Sequence, residues 1–546
     1  MADKALAEDA ELAELNYARR EHWVAQVDRH AAGRGDQAAL RFQGATITWR
    51  QFADRIRRLA DAFARRGVRA GERVAVMTGN CPEFLETVIA ANRLGAIAVP
   101  LNFRLSGPEA AYVLEDCGAA LLVADRLCAR TAAAALAQLP ARPPVLGVGD
   151  AFADLLPGSE AYEDALAETG PLTTGPGAGR PDVPEDAPAL IMYTSGTTGQ
   201  PKGAVLTHQN LRAQSLTSIR SREFTGEGEV NLIASPLFHI AAIGGVAPII
   251  QIGGTLVIMP TVAFDSGKLL DLVEAEGVTA LFLVPAQWQA VCDDPTLLAR
   301  DLSRLRAISW GAAPASDTLL RRMSECFPGV LNVAAFGQTE MSPVTCILDG
   351  RDALRKLGSV GLPVPGVLVR VVDTEMNDVP AGEIGEIVYR GPGLMREYWN
   401  NPEATAEAFR GGWFHSGDLV TRDEEGYVWV VDRVKDMIIS GGENIYCAEV
   451  ENVLAAHPRV AQVSVVGQPD ARWGETPVAF AVPRPGAGSL SLAELRGWAA
   501  ERIARYKLPT VLVLLDDLPR NASGKVLKGE LRQLCPAAGQ AAGRPG

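Results

Sequence analysis

No two of the eight cysteines (Cys81, Cys117, Cys128, Cys292, Cys326, Cys346, Cys447 and Cys535) stand in a Cys-x-x-Cys pair. Scattered along 546 residues, they supply neither a disulfide framework nor a zinc cluster, and they read as reduced thiols of a cytoplasm. Basic residues are also short: 52 Lys and Arg stand against 65 Asp and Glu, a net charge of −13. A chain so acidic lacks the positive surface that displaces counterions, which argues against nucleic acid as a partner. Its first fourteen residues hold no apolar run, so no secretory signal is expected. An unbroken membrane span is missing too. Residues 230–264 carry no Asp, Glu, Lys or Arg, but Pro236, Gly244-Gly245, Pro248 and Gly253-Gly254 interrupt them, and Asn231, His239 and Gln251 would be stranded in lipid. A strand, a glycine-containing helix and a second strand of a buried α/β layer are expected there.

What is present is the composition of a globular protein with a large core: 47% apolar and 21% charged residues, which excludes a disordered chain. Short β-rich runs alternate with amphipathic stretches. Thr48-x-x-Gln51 has the form of a capping box opening a helix through Phe52, Ile56, Leu59 and Phe63. Strands are expected over 73–77, 97–100 and 120–123, with a helix over 84–94. This alternation predicts an α/β fold of βαβ crossovers, with parallel sheets covered by helices. Residues 168–188 turn to Gly, Pro, Thr and Asp without periodicity and read as an exposed connection; a second α/β region follows from 189 to about 358. Strands over 367–373 and 384–390 are assigned to a smaller antiparallel unit. After Asp432 the pattern resets to a small α+β unit: helix 448–456, strands 460–466 and 478–482, helix 492–504, and a low-complexity tail from Pro536.

The densest chemical signal is Tyr193-Thr-Ser-Gly-Thr-Thr-Gly-Gln-Pro-Lys-Gly203, which follows the apolar run 189–192. Thr194, Ser195, Gly196, Thr197, Thr198 and Gly199 offer backbone N–H and hydroxyl donors to a polyphosphate, and Lys202 adds positive charge. It is not a Walker A loop, because Gln200 and Pro201 separate Gly199 from Lys202. Four further strings follow in order: Phe336-Gly-Gln-Thr-Glu340, Ser416-Gly-Asp-Leu419, Asp432-Arg-Val-Lys-Asp-Met-Ile-Ile-Ser-Gly-Gly-Glu-Asn444 and Pro519-Arg-Asn-Ala-Ser-Gly-Lys525. With these five motifs the chain resembles the adenylate-forming superfamily of acyl-CoA synthetases, peptide-synthetase adenylation domains and luciferase-type enzymes. The resemblance runs from about Trp23 to Leu534. Within the superfamily the sequence looks most like bacterial fatty-acyl-CoA synthetases and their aryl-CoA relatives.

The resemblance implies a role for each motif. Phe336 is expected to stack on adenine, with Gly337 and Gln338 beside it and Gly311, Ala312 and Ala313 forming the opposite wall of the slot. Ala334 and Ala335 are small and apolar there, which leaves polar reading of adenine from that side open. Thr339 is expected to bond the α-phosphate and Glu340 to ligate Mg²⁺ as a hard oxygen donor. Asp418 would accept from the ribose hydroxyls and Arg433 donate to the same sugar. Lys525 would neutralise charge as the carboxylate attacks the α-phosphate, whereas nearby Lys528 reads as a solvated lysine. Lys435 falls at the family hinge, and Gly441 and Gly442 at the strip lining a pantetheine tunnel. His239, after Pro236-Leu-Phe, matches the residue at the mouth of the acyl pocket, with no proton transfer assigned to it. Ala241, Gly244 and Gly245 are expected to border a roomy apolar cavity.

The implied protein has an acyl-adenylation domain over 1–434, made of stacked βαβ sheets and a β appendage, and a mobile C-terminal α+β domain over 435–546. It uses ATP, Mg²⁺ and coenzyme A to turn a carboxylic acid into acyl-AMP and then acyl-CoA. A medium- or long-chain fatty acid is the first expectation, and an aryl or terpenoid acid the second. A carrier protein in place of CoA, and a non-catalytic nucleotide-binding role, are the rivals. The oligomeric state is open, a homodimer included.

Overall fold

Thr48 and Gln51 exchange both hydrogen bonds of a capping box in the computed structural model of the chain: Gln51 N donates to Thr48 Oγ1 at 3.3 Å and Thr48 N to Gln51 Oε1 at 2.9 Å. The helix Trp49–Arg65 that they open buries Phe52, Ile56, Leu59 and Phe63 at helical spacing. The structure describes residues 12, 14–168, 182–194, 200–226, 228–313, 315–353, 355–433, 435–440, 443–470, 472–486, 488, 490–520 and 526–536.

Two large sheets dominate. In the first, the strands Val230–Ile233, Thr255–Ile258, Ala280–Leu283, Ala307–Gly311 and Leu331–Gly337 run parallel. Ala38–Phe42 joins beside Thr255–Ile258, and antiparallel strands finish both edges of this nine-stranded sheet. The second sheet has eight strands, with Arg73–Met77, Ile97–Pro100, Ala119–Asp125 and Pro188–Thr194 in its parallel centre. Fully buried Val, Leu, Ile and Ala fill these strands, as a parallel sheet covered on both faces requires. The charge-free stretch folds as the strand Val230–Ile233, the helix Ile240–Ile252 and the strand Thr255–Ile258. Among the described residues no helix is long and apolar enough to cross a membrane.

A four-stranded antiparallel sheet follows, from Leu368–Val372 through Gly385–Arg390 and Phe414–Arg422 to Val428–Arg433. The last sheet has five strands around Val460–Asp470 and Gly474–Pro483, with its own core of Val450, Leu454, Val465, Ala479 and Leu495. The helix expected over 492–504 stops at Ala500. Beyond it the chain turns through Arg502 and Ile503, whose amides both bond Ala499 O at 2.9 Å, and a short 3₁₀ turn follows over Arg505–Lys507.

His22, which caps the helix Trp23–Gly33, lies against His208 at the start of the helix His208–Ser221, with ring centroids 5.0 Å apart. His22 Nε2 and both ring nitrogens of His208 are buried without a partner. Burial lowers both imidazole pKa values; at His22 Glu185 partly opposes this and Arg20 adds to it, while at His208 the His22 charge adds to it. The pair is therefore neutral when folded, while the unfolded chain takes up protons near the ordinary value of about 6.5. Its contribution to stability is complete above that pH and is lost as pH falls below it. The unfolding temperature is expected to drop between pH 7 and pH 5, and to drop less in His208→Phe, which a thermal melt at each pH reads directly.

Candidate active site

All five chemical motifs have described residues, and two of these motifs lie at the carboxyl ends of parallel strands, where ligand crevices open in such sheets. Thr194 ends the strand Pro188–Thr194, and Phe336-Gly337 end the strand Leu331–Gly337 just before the turn Thr339–Met341. Gly311 likewise ends Ala307–Gly311, and the loop after Val230–Ile233 leads to His239. Ser195, Gly196, Thr197, Thr198, Gly199, Gly441, Gly442 and Lys525 lie outside the described residues.

Close backbone approach explains the small residues around Phe336. A Cβ at Gly311 would sit 2.2 Å from Ala335 O, the residue it faces in register across the parallel pair. Ala312 follows with φ of 64°, a left-handed conformation that few alanines adopt and that concentrates at functional sites. Gly337 has its own constraint, since a Cβ there would meet Pro343 O at 1.9 Å. Phe336 itself is half-buried, and Gln338 and Thr339 share that partial exposure at the crevice.

Glu340 is 9% exposed, and one of its oxygens accepts from Tyr398 Oη at 2.8 Å. The strand Glu397–Tyr398 pairs with Lys202–Thr207, which places Lys202 Nζ 5.4 Å from the Tyr398 ring centroid. Lys202 is also held at the base of its loop, where its carbonyl accepts from Thr194 Oγ1 at 3.4 Å. Tyr398 thus connects the glycine-rich loop to Glu340. Burial, then the Glu340 charge and hydrogen bond, keep the Tyr398 phenol protonated. A magnesium ion bound chiefly through nucleotide phosphates needs only one or two protein carboxylates. The buried, tyrosine-oriented Glu340 fits that requirement, and among the described residues no cluster of three metal-ligating side chains offers an alternative.

Asp418 and Arg433 face each other across the antiparallel strands Phe414–Arg422 and Val428–Arg433. Their ion pair is 2.8 Å long, and Asp418 is only 4% exposed. Asp418 first, then Glu340 and Asp436, raise the Arg433 pKa against desolvation, so all three carboxylates act on one guanidinium. Ser416 fixes the turn, with Oγ donating to Ile387 O at 2.6 Å and accepting from Asp418 N at 3.0 Å.

His239 caps the helix Ile240–Ile252, its Nδ1 accepting from Ala241 N at 3.2 Å. Buried Asn80 anchors the approach to it: Oδ1 accepts from Leu237 N at 2.8 Å, and Nδ2 donates to Ser235 O and Met259 O. One asparagine after Arg73–Met77 thereby joins the two large sheets beside the candidate acid site.

The helix is closely packed on the side of Gly244 and Gly245 that a Cβ would face. A Cβ on Gly244 would stand 3.1 Å from Pro343 Cδ and 3.2 Å from Gln214 Nε2; on Gly245 it would stand 3.1 Å from Ile233 Cδ1 and 3.3 Å from Asn231 Nδ2. The missing side chains let neighbouring elements seat on the helix backbone. Gly245→Leu is accordingly expected to cost about 1–3 kcal/mol of stability through overpacking, read as a lowered unfolding temperature; a shortened accepted acid in the folded variant would place the residue at the acid pocket as well. One expectation is corrected, that for Lys528. Expected in solvent, it pairs with Glu451 at 3.0 Å with its side chain 18% exposed. Burial alone would lower its pKa, but Glu451 and the charges at Asp432 and Asp436 outweigh that and raise it.

Comparison with known proteins agrees with this geometry. The AMP-binding enzyme family matches residues 27–399, and the AMP-binding enzyme C-terminal domain matches 449–525. The chain is 43% identical over 498 residues to a feruloyl-CoA synthase of Amycolatopsis, covering 91% of this chain and 95% of that one. It is 40% identical over 517 residues to an indoleacetate–CoA ligase of Aromatoleum aromaticum, covering 93% and 97%. The o-succinylbenzoate CoA synthetase of Bacillus subtilis, solved with its acyl-adenylate intermediate, superposes with a TM-score of 0.80 at 31% identity, covering 94% of this chain and 98% of that one. The chain belongs to the AMP-binding, adenylate-forming family. It is an AMP-forming acid–thiol ligase that works through acyl-AMP and uses ATP, Mg²⁺ and coenzyme A.

Proposed function

We propose that the acid is aromatic, an arylpropenoic or arylacetic acid, in place of the fatty acid that the sequence first brings to mind. The packing at Gly244 and Gly245 carries this reading. Pro343, Gln214, Ile233 and Asn231 stand close to where side chains would project from those glycines, a tight surround that favours a compact, flat acid over a long flexible chain. The two aryl-CoA relatives, each matched over more than nine-tenths of its length, support the same class.

In this reading Phe336 stacks on adenine between the walls at Gly311–Ala313 and Gly337, and Asp418 with Arg433 holds the ribose. Thr194, Lys202 and the donors of the loop between them hold the phosphates, and Thr339 bonds the α-phosphate. Glu340, oriented by Tyr398, would hold Mg²⁺, which would supply charge neutralisation for the phosphates. The acid's carboxylate oxygen attacks the α-phosphorus; the new O–P bond forms as the bond to pyrophosphate breaks, with Lys525 stabilising the charge. The CoA thiol then attacks the acyl carbon after losing its proton, and AMP leaves with the bonding pair. Residues 435–546 turn about Lys435 between the two steps, bringing Gly441 and Gly442 to the pantetheine arm. Excluding water from acyl-AMP is what domain closure contributes.

Pyrophosphate release measured over a panel of acids tests the substrate class. Ferulate, 4-hydroxycinnamate or indoleacetate is expected to exceed octanoate and palmitate in kcat/KM by at least about tenfold. A preference for the fatty acids would overturn the aromatic reading.

A further inference from the structure

Two of the eight thiols meet. The helices Pro285–Cys292 and Asp317–Cys326 each end on a cysteine, and both cysteines pack in the core that holds Ile308 and Trp310 of the strand Ala307–Gly311. Cys326 Sγ lies 4.0 Å from Cys292 O, and the Cys292 thiol is in hydrogen-bond contact with Cys326. The thiols of Cys81, Cys117, Cys447 and Cys535 bond instead to the Thr78 hydroxyl or to backbone carbonyls. Exposure divides the pair: Cys292 is 3% exposed, whereas Cys326 is partly open to solvent.

These are the parts of a two-thiol redox site, with one sulfur that an oxidant reaches and a sheltered sulfur in contact with it. Burial first, then the Cys326 charge, push the Cys292 thiol up to about 12, so Cys292 stays a thiol until its partner is oxidised. Oxidation of Cys326 removes that opposing charge. Arg322, whose Nη2 donates to Cys292 O at 3.4 Å, favours the Cys292 thiolate. The surroundings give a bond here a consequence. Trp288, four residues before Cys292, donates Nε1 to Ser309 O at 3.0 Å, and its ring meets that of Phe327, next to Cys326, with centroids 5.5 Å apart. Ser309 stands two residues before Gly311, in the strand that ends at the expected wall of the adenine slot.

We propose that Cys292 and Cys326 are a modification site, joined reversibly as a disulfide when a hydroperoxide reaches Cys326. The Cys326 thiolate attacks one peroxide oxygen; the S–O bond forms as the O–O bond breaks, hydroxide leaves, and Cys326 becomes a sulfenic acid. Cys292 then loses its proton and attacks that sulfur, and the S–S bond forms as the S–O bond breaks and water leaves. The two sulfurs together give up two electrons, and the peroxide is reduced. The bond closes a loop over 293–325 and fixes the two helices to each other behind Ala307–Gly311. It is independent of which acid the enzyme activates.

The test exposes the reduced full chain to hydrogen peroxide, blocks the remaining thiols in denaturant and maps the peptides without reduction. One cross-linked pair is expected, Cys292 with Cys326, two hydrogens lighter than the separate peptides, with two of the eight thiols lost and both restored by dithiothreitol. The oxidised chain is expected to unfold at a higher temperature than the reduced one, because the bond restricts the unfolded chain. In Cys292→Ser, Cys326 is expected to stop at the sulfenic acid and to be trapped by dimedone; if that variant fails to fold, the wild-type map decides alone. A wild-type chain in which Cys326 is oxidised while Cys292 is recovered as a blocked thiol overturns the proposal. Pairing of either cysteine with any other, or a link that forms only after the chain is unfolded, overturns it as well.

Discussion

Lys525→Ala is expected to slow acyl-adenylate formation by on the order of 100- to 1,000-fold, the usual cost of deleting one preorganised charge-stabilising donor. The same variant is expected to convert supplied acyl-AMP to thioester at close to the wild-type rate. Lys525 closes the motif that begins at Pro519, and the ends of that segment are held side by side: Arg520 bridges Val526, and Leu527 N donates to Pro519 O at 2.8 Å. Lys528 makes the useful contrast, because its charge is committed to Glu451 inside the small unit. Lys528→Ala is expected to lower the unfolding temperature. Equal loss of both half-reactions in Lys525→Ala would contradict a role confined to adenylation.

Proline at Lys435 is expected to separate the half-reactions in another way. The residue lies between the strand Val428–Arg433 of the four-stranded sheet and Ile438–Ser440 of the last sheet. Immediately after it, Asp436 is held from the terminal helix by Arg532 at 2.7 Å, and the same guanidinium reaches Lys435 O at 3.5 Å. Position 436 is therefore tied to the small unit, and the link at Lys435 is the proposed place of rotation. A hinge residue must change φ and ψ between two states. Proline locks φ near −65° and removes the N–H. Lys435→Pro is expected to keep much of adenylation and to lose most of thioesterification. Two half-reactions near wild type would place the hinge elsewhere, and loss of adenylation alone would mean that proline selects the other arrangement.

The legible parts of the sequence were those set by local chemistry. Capping residues, unbroken apolar runs and turn glycines act over a few positions, so the helix after Thr48, the strand Arg73–Met77 and the strand–helix–strand after Val230 appear where expected. The order of the motifs likewise identified the family. What stayed hidden depends on pairings between distant segments. Tyr398 reaches Glu340 only because Glu397–Tyr398 pairs with Lys202–Thr207, and nothing in Arg396-Glu-Tyr-Trp-Asn400 announces that partner. Asn80 is hidden for the same reason, its bonds reaching residues more than 150 positions away. Gly244 and Gly245 are ambiguous in a different way. Small side chains are as compatible with close packing as with open space, and only the neighbours at Pro343 and Ile233 distinguish the two. Lys528 reads as solvated because the carboxylate that buries it, Glu451, lies on the helix Cys447–Ala455.

Isotope exchange between labelled pyrophosphate and ATP, run with ferulate or 4-hydroxycinnamate in the absence and then the presence of CoA, tests the central claim most directly. Acid-dependent exchange is expected without CoA, since acyl-AMP forms reversibly on the enzyme. Aryl-CoA and AMP are expected in equal amounts once CoA is added. Aryl-CoA formation with no acid-dependent exchange, or with ADP as the nucleotide product, would contradict activation through an enzyme-bound acyl-adenylate.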